Sequence, residues 1–579
     1  MKSNSGILRS PLLWLVLAVI LAVGLKTWLV VGGWLPFNAD EAVVALMARH
    51  ILQGERPVFF YGQAYMGSLD GFLVAGAFAL FGEHVWAVRM VQILLYVGFL
   101  ATTAWLGRAV FGRWKVGVLG ALLLAIPTVN VTLYTTVSLG GYGEALLLGN
   151  LILLCTLGVR DHMLKGEYPG PVYLWALFGF FSGLGLWAFG LTLVYSLPAL
   201  AYLLALAWKH RRLTRAQNPV DVTSVADLSV SGDRHIRHSA QDACPGGKSH
   251  PFLALSSMAG ASFIGSLPWW LYGLQNGIPK LLNELGGGAI AGVEGLPWVS
   301  QVVRHAVNLL LLGSTVTIGL RPPWDVSWLG LPLLPFVLTF WLGVLIFAVR
   351  KVVSGSWEDG PILLAGVMLA LVLVFIASPF GVDPSGRYFL PLAAPLALFA
   401  SELILALRDR TGILVYGLAG LLLVYNLWGT IQSARDFPPG ITTQFYAPSQ
   451  IDHRYDHALI DFLRQNGEMV GYSNYWVTYP LAFLSEEALI YVPRLPYHLD
   501  FRYTERDDRY PPYGERVAAS SKTAYITTHH PVLDENLRQK FTELGITWQE
   551  AQIGDYNVFY ALSRSVSPPE VGLGKTTSP

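Results

Sequence analysis

Charge is what this sequence has least of. Of 579 residues only 13% are Asp, Glu, Lys or Arg, about half the share of an ordinary soluble domain, which excludes a wholly water-soluble globule. The few charges nearly cancel, 39 basic against 38 acidic residues for a formal net charge of +1. With no basic excess, nucleic acid is not expected as a partner. Cysteine is almost missing as well. Cys155 stands in an apolar run and Cys244 in a polar one, too few and too far apart for a disulfide framework or a metal cluster. Neither a phosphate-binding Walker loop nor a Gly-rich dinucleotide fingerprint occurs, so an ATP-driven machine is not indicated.

What the chain has instead is length in apolar residues: 53% of the total, with 19 Trp and 26 Tyr, the rings that settle at headgroup level in a bilayer. Runs of about 18 residues or more can cross a hydrocarbon core about 30 Å thick. Such runs lie at 11–31, 84–107, 116–133, 142–159, 172–188, 190–208, 251–273, 328–349, 361–379, 388–407 and 412–431. The first lacks a small-residue cleavage site after it and reads as an anchor that is retained. The expected fold is therefore an α-helical polytopic membrane protein of about eleven spans.

Short loops set the expected orientation. Arg108, Arg113 and Lys115 follow the second run, Arg160 and Lys165 the fourth, and Lys209, Arg211, Arg212 and Arg215 the sixth. Arg350 and Lys351 follow the eighth, and Arg408 and Arg410 the tenth. Every even-numbered exit is basic, which puts those ends and the N-terminus in the cytoplasm. An odd number of spans then places the C-terminal part outside, on a multi-pass protein of the plasma membrane. Residues 1–433 form the expected membrane module, with outward loops at 32–83 and 274–327 and a polar, aperiodic cytoplasmic linker at 209–250 that reads as disordered. The apolar stretch 299–320 would reverse every later loop if it crossed, so it is expected in the interface. Residues 434–579 have the composition of a small soluble α/β domain with a disordered tail. Helices are predicted at 458–464 and 535–544 and strands at 488–492, 524–528 and 558–562.

The first outward loop is the richest segment. Asp40 and Glu41 follow the first span, and Val43, Leu46, Met47 and Ile51 recur at helical spacing up to Gly54, the pattern of an amphipathic helix on the membrane surface. Asn38 is a good cap, and Glu41 three residues on fits a capping box. Both acids thus have a structural job available. A carboxylate at the water–lipid boundary also suits a general base that takes the proton of an acceptor hydroxyl.

The Asp-Glu-Ala triplet, the stretch GERPVFFYGQAYMGSLDGFL and the exit LFGEHVWAVR resemble those of polytopic GT-C glycosyltransferases. The nearest resemblance is to the family 39 group of protein O-mannosyltransferases, aminoarabinose transferases and core-sugar transferases. That resemblance implies a GT-C-like fold and an inverting transfer of sugar from a polyprenyl-phosphate donor, with the acid of the first outward loop, Asp40, as base and Glu41 beside it. SLGGYGEALLLGN in the second outward loop supplies Glu144 as the matching second acid. DPSGRYFLPLAAP resembles an Arg-Tyr-x-x-Pro element before a late span.

The remaining candidates rest on position. Arg387, at the outer boundary, can bind a phosphate in a bidentate fashion or pair with Asp383; Tyr388 follows it. Tyr61 and Tyr65 can stack on a sugar or simply sit at the interface. Asp70 lies in the apolar part of the first loop, free to face water or Arg89. Asp507–Asp508 reads as a solvated charge cluster and His529–His530 as a plain loop, so no metal site is expected, and a divalent metal has no support in the sequence. The expected partners are the bilayer, the lipid-linked sugar and an acceptor that is glycan, lipid or protein. The rival reading is a transporter or flippase, against which stand the scarcity of ionisable residues within spans and the lack of an inverted repeat.

Overall fold

The computed structural model describes residues 10–217, 251–288, 290, 295–356, 359–436 and 440–574. The predicted cytoplasmic linker beyond residue 217, Cys244 and the end of the predicted tail lie outside them. Helix α1 (Pro11–Val31) leads to α2 (Ala39–Leu52), a short hairpin of β1 (Phe59–Phe60) and β2 (Gln63–Gly67), and α3 (Leu69–Phe81). Next come α4 (Val85–Phe111), α5 (Trp114–Leu123), α6 (Val129–Tyr134), α7 (Tyr142–Leu164), α8 (Val172–Ala188) and α9 (Leu193–Gln217). Then follow α10 (Pro251–Gly265), α11 (Leu267–Asn276), α12 (Ile278–Leu285), α13 (Trp298–Val307) and α14 (Ser314–Thr317), and after these α15 (Leu334–Val353), α16 (Gly360–Ala377), α17 (Ala393–Thr411) and α18 (Tyr416–Asp436).

Among the described residues eight helices are long and apolar enough to cross a membrane, and the α10–α11 pair, bent by 64°, brings the number to nine if it is counted as one span. Two expected spans fall short of a single helix of 18 residues. The run 116–133 is broken into α5, ten residues long, and α6, six residues long, because Pro127 offers no amide donor and disfavours helix before it. The freed carbonyls are not left bare, as apolar surroundings require: the Tyr96 hydroxyl donates to Leu124 O at 2.6 Å and the Asn426 amide to Ile126 O at 2.9 Å. The run 172–188 forms α8, 17 residues. Residues 298–317 do not join the candidate spans; α13 continues through a π-turn into α14 and packs on the outer end of α16, where Asn308 donates to Gly381 O at 2.9 Å.

Residues 440–574 fold around a five-stranded sheet in the order β4-β3-β5-β7-β6, with β3 (Val470–Ser473), β4 (Ile490–Pro493), β5 (Ala524–Thr528), β6 (Gln549–Ile553) and β7 (Tyr556–Tyr560). The first three strands are parallel, and β7 and β6 pair antiparallel at one side. Helices α19 (Asp456–Gln465), α20 (Tyr475–Leu484), α21 (Pro512–Ala518) and α22 (Pro531–Glu543) complete the α/β domain. Helix α20 packs against α2 of the membrane module, and this contact positions the site.

Candidate functional site

The start of α2 is built by its cap. Asn38 accepts the Glu41 amide through its side chain at 3.1 Å, so Asp40 and Glu41 fall in the first turn, where the helix dipole favours acids. Successive helical residues point about 100° apart, and the two acids part company. Glu41 is fully buried and takes a bidentate pair from Arg89 of α4, at 2.9 and 2.8 Å. Its carboxylate is consumed by that pair and does not reach back to close a capping box. Asp40 turns instead into a cavity of about 420 Å³ between the bundle and the C-terminal α/β domain.

Inside the cavity the Tyr475 hydroxyl donates to Asp40 Oδ1 at 2.6 Å. Tyr475 heads α20, so the C-terminal domain holds the acid of the membrane module. Arg509 lies over the Tyr475 ring, 5.4 Å from its centroid, and with the Gln63 amide turned to present its oxygen, both guanidinium nitrogens reach it at 2.9 and 3.0 Å. The loop carrying Arg509 is pinned by Tyr479, whose hydroxyl donates to Asp507 O at 2.8 Å and accepts the Arg509 amide at 2.5 Å. Asp507 also faces the cavity. Burial pushes its carboxyl up to about 7, with Arg509 opposing the rise and Asp40 adding to it. The sequence reading of a solvated pair at 507–508 is therefore corrected. Asp508 pairs with Arg494 at 2.8 Å, and Asp507 lines the cavity because the tyrosine bracket folds its loop inward.

Arg387 lines the membrane side of the same cavity. It pairs with Asp383 at 2.5 Å and lies 5.0 Å from the centroid of the Tyr388 ring, while its Nε is buried with no partner. Of the alternatives for Arg387 the ion pair with Asp383 forms, and a pair to one carboxylate leaves donors of the fork over. Tyr65 stands between this cavity and a second, apolar groove of about 170 Å³, lined by Phe189, Leu193, Leu197, Leu371, Phe380 and Tyr388 among others. Tyr388 thus faces the groove, and Tyr65 faces both spaces.

The other candidates are not in the cavity wall. Tyr61 donates to Glu55 at 2.7 Å, bonds His50 at 3.0 Å and stacks on Tyr510, so it belongs to the seam between α2 and the C-terminal domain. Asp70 and Glu144 are both 2% exposed. Asp70 accepts from Gln92 at 2.8 Å and from Ser138, and Arg89, offered as its partner, is taken by Glu41. Glu144 lies beside it, its carboxyl within hydrogen-bonding reach of the Asp70 carboxyl. This pair supports the 138–142 turn, from which Leu139 and Tyr142 enter the cavity. Their place is behind the wall, because both side chains sit at helix starts that face inward. His530 caps α22 by accepting the Leu533 amide at 3.1 Å, and among the described residues no group of three or more His, Cys, Asp or Glu converges as a metal site.

Sequence reasoning missed Tyr475, Trp476, Tyr497 and Arg509 and misread Asp507, all from the C-terminal domain. The only signal was the density of charge and tyrosine in RYTERDDRYPPYGER, in a chain otherwise poor in charge.

No family model matches the sequence, and no curated protein sequence matches it. Solved structures do. ArnT from Cupriavidus metallidurans bound to undecaprenyl phosphate aligns over 96% of this chain and 98% of its own, with TM-score 0.52 and 12% identity. The apo state of the same protein aligns over 94% and 97%, with TM-score 0.52 and 13% identity. The oligosaccharyltransferase AglB from Archaeoglobus fulgidus, in complex with an inhibitory peptide and a dolichol-phosphate, gives TM-score 0.49 at 14% identity over 92% and 70%. In architecture, the chain has the GT-C-like fold of ArnT, a helical membrane module with a small α/β domain at its C-terminal end.

Proposed function

We propose that this protein is a membrane glycosyltransferase that moves a sugar from a polyprenyl-phosphate donor to an acceptor hydroxyl at the outer face, with inversion and with Asp40 as general base. The observation that carries the reading is the placement of Asp40 and Arg387 in one cavity that meets an apolar groove at Tyr65. A lipid-phosphate sugar needs those features side by side: an apolar path for the chain, a guanidinium for the phosphate and a carboxylate facing the anomeric carbon. ArnT, whose fold this chain shares, is described bound to undecaprenyl phosphate, which supports a donor of that class.

In the proposed reaction the acceptor oxygen attacks the anomeric carbon, the bond from that carbon to the phosphate oxygen breaks, and the hydroxyl proton passes to Asp40. The lipid phosphate departs with its charge held by Arg387, whose unpartnered Nε has room for one more acceptor. Tyr475 fixes Asp40 through Oδ1, leaving Oδ2 for the acceptor. The protein's share is positioning and charge stabilisation. Glu41, Asp70 and Glu144 act as positioning residues in this scheme, and Tyr388 and Tyr65 line the donor path. The orientation proposed is N-terminus inside and outer domain outside. In its support, Arg113 and Lys351 meet Glu402 at one end of the bundle, while Asp40 and Arg387 lie at the other ends of their chain segments.

The test is transfer of label from a panel of radiolabelled polyprenyl-phosphate sugars in membranes holding equal amounts of wild type or Asp40→Asn. Loss of a positioned base is expected to lower transfer by about 100-fold or more. Equal transfer by a folded Asp40→Asn protein overturns the role of Asp40.

A further inference from the structure

The acceptor side of the cavity has a wall of its own. It is made by three stretches of the outer domain, around residues 443–449, 475–476 and 497–509, and it is rich in aromatic rings. Trp476 meets Tyr497 edge to face at 6.1 Å, and Tyr497 leans on His498 at 4.4 Å. Trp476 is 9% exposed, lines the cavity, and its indole Nε1 is buried without a hydrogen-bond partner. A buried donor left unmet costs free energy and is rare in a finished fold, so this one marks a place where a ligand acceptor atom or a water completes it. Asp507, with its carboxyl turned to the same space, supplies a group that both gives and receives hydrogen bonds near neutral pH. Asp40 lies within electrostatic range of Tyr497 and Asp507 on this side and of Tyr65 on the membrane side, which puts it between the two halves.

Aromatic faces are negative and the C–H bonds of a sugar ring are weakly positive, so a pyranose or furanose packs flat on an indole or phenol while its hydroxyls seek polar groups at the rim. An indole donor with a carboxyl beside it meets that demand. The wall is poorly matched to the other acceptors. A peptide bound by strand addition needs a free sheet edge, and neither edge strand, β4 or β6, contributes to the cavity. An aliphatic lipid chain would leave the indole donor and the Asp507 carboxyl unmet.

We infer that the outer domain forms an acceptor subsite for a saccharide, with Trp476 and Tyr497 as the stacking platform and Asp507 as a hydroxyl partner. The inference rests on the proposed glycosyl transfer for its meaning but not for its detection. Binding is measured by equilibrium dialysis of radiolabelled mono- to tetrasaccharides, of hexose, pentose and hexosamine type, against the full chain in nanodiscs. Wild type, Asp40→Asn, Trp476→Ala and Trp476→Phe are compared, each checked for an unchanged melting profile. The expected result is saccharide binding by wild type and by Asp40→Asn, weakened about tenfold in Trp476→Ala. Trp476→Phe, which keeps a ring and loses the donor, should fall between.

Transfer assays with saccharide, peptide and unglycosylated lipid acceptors should label the saccharide, and Trp476→Ala should raise the acceptor KM while the donor KM stays put. Label in peptide or plain lipid overturns the inference and leaves Asp40-dependent transfer standing. Absence of saccharide binding in wild type, or binding unchanged in Trp476→Ala, overturns it as well. If saccharides bind through Trp476 yet no label moves, the subsite stands and the transferase reading fails.

Discussion

Asp40 and Glu41 carry the same chemical group one peptide bond apart, and a single helical step separates their fates. Glu41 is locked into Arg89, whereas Asp40 keeps one oxygen for the cavity and gives the other to Tyr475. That hydrogen bond fixes the direction of the Asp40 carboxylate. Tyr475→Phe is expected to lower kcat by about tenfold with little change in donor KM, because a typical charge-assisted bond is worth about 1.5–3 kcal/mol and part of it serves orientation. Steady-state kinetics with the labelled donor reads the split. Asp507 makes a prediction of a different kind. Its carboxyl ionises at about 7 in the folded protein against an ordinary value of 3.8. As pH rises, the unfolded chain therefore loses its proton first; the stability this group adds is full below about pH 4 and is lost by about pH 7. The change corresponds to at most about 4 kcal/mol, and water in the cavity lowers it. Asp507→Asn should melt with wild type at pH 4 and above it at pH 8, by about 2–4 °C for each kcal/mol recovered.

Elements show the same division between what is written locally and what packing imposes. The long apolar runs at 11–31, 142–159 and 412–431 were legible because no water is available to a lipid-embedded backbone, and only continuous helix satisfies it. The break at Pro127 was legible in principle, since proline is a local instruction, but the length of the apolar run around it concealed the break. Closeness between helices was not legible. Helix α8 carries Gly179 and Gly183 four residues apart, and a side chain at either would collide with the backbone of α10, at the carbonyls of Met258 and Ser262. Small residues at this spacing let helix backbones touch. Gly183→Leu is expected to separate the pair and cost about 1–3 kcal/mol or more, read as a lower melting temperature in detergent, with Gly183→Ala falling between the two. In the C-terminal domain, β5 forms where a strand was expected, at 524–528, rich in Tyr, Ile and Thr and buried throughout. Strand β6 was missed because its residues, QEAQI, are half exposed and polar at the sheet edge, and α20 because its apolar face is buried against another part of the chain.

At the scale of the molecule the site exists only where the two parts meet. The seam is held by Glu487, which accepts from the Tyr513 hydroxyl at 2.8 Å and bonds His50 at 3.1 Å, with Arg49 at 3.6 Å. Burial alone would raise this carboxyl; the bonds from His50 and Tyr513 and the charge of Arg49 hold it below the ordinary value. Its contribution is therefore present above about pH 4.5 and is lost as pH falls through the depressed value. Glu487→Ala should take from His50 and the Tyr513 hydroxyl the acceptor they share, at about 1–3 kcal/mol, and loosen α20 from α2, while Arg49 keeps Glu83 at 2.5 Å. Hydrogen exchange across 475–484 is expected to speed up, and transfer to fall with it, since Tyr475 rides on that helix.

The sequence by itself determined the membrane class, most helices of the bundle, the C-terminal α/β domain and the acid at the head of α2, because hydropathy, caps and proline act over a few neighbours. It left open which way the Asp40 and Glu41 side chains face and left residues 475–509 unassigned to any site. Only the tertiary structure decided those, because Tyr475 lies 435 residues along the chain from Asp40. What fixes a carboxylate's role is the donor brought to it through space, and no local pattern encodes a partner that distant.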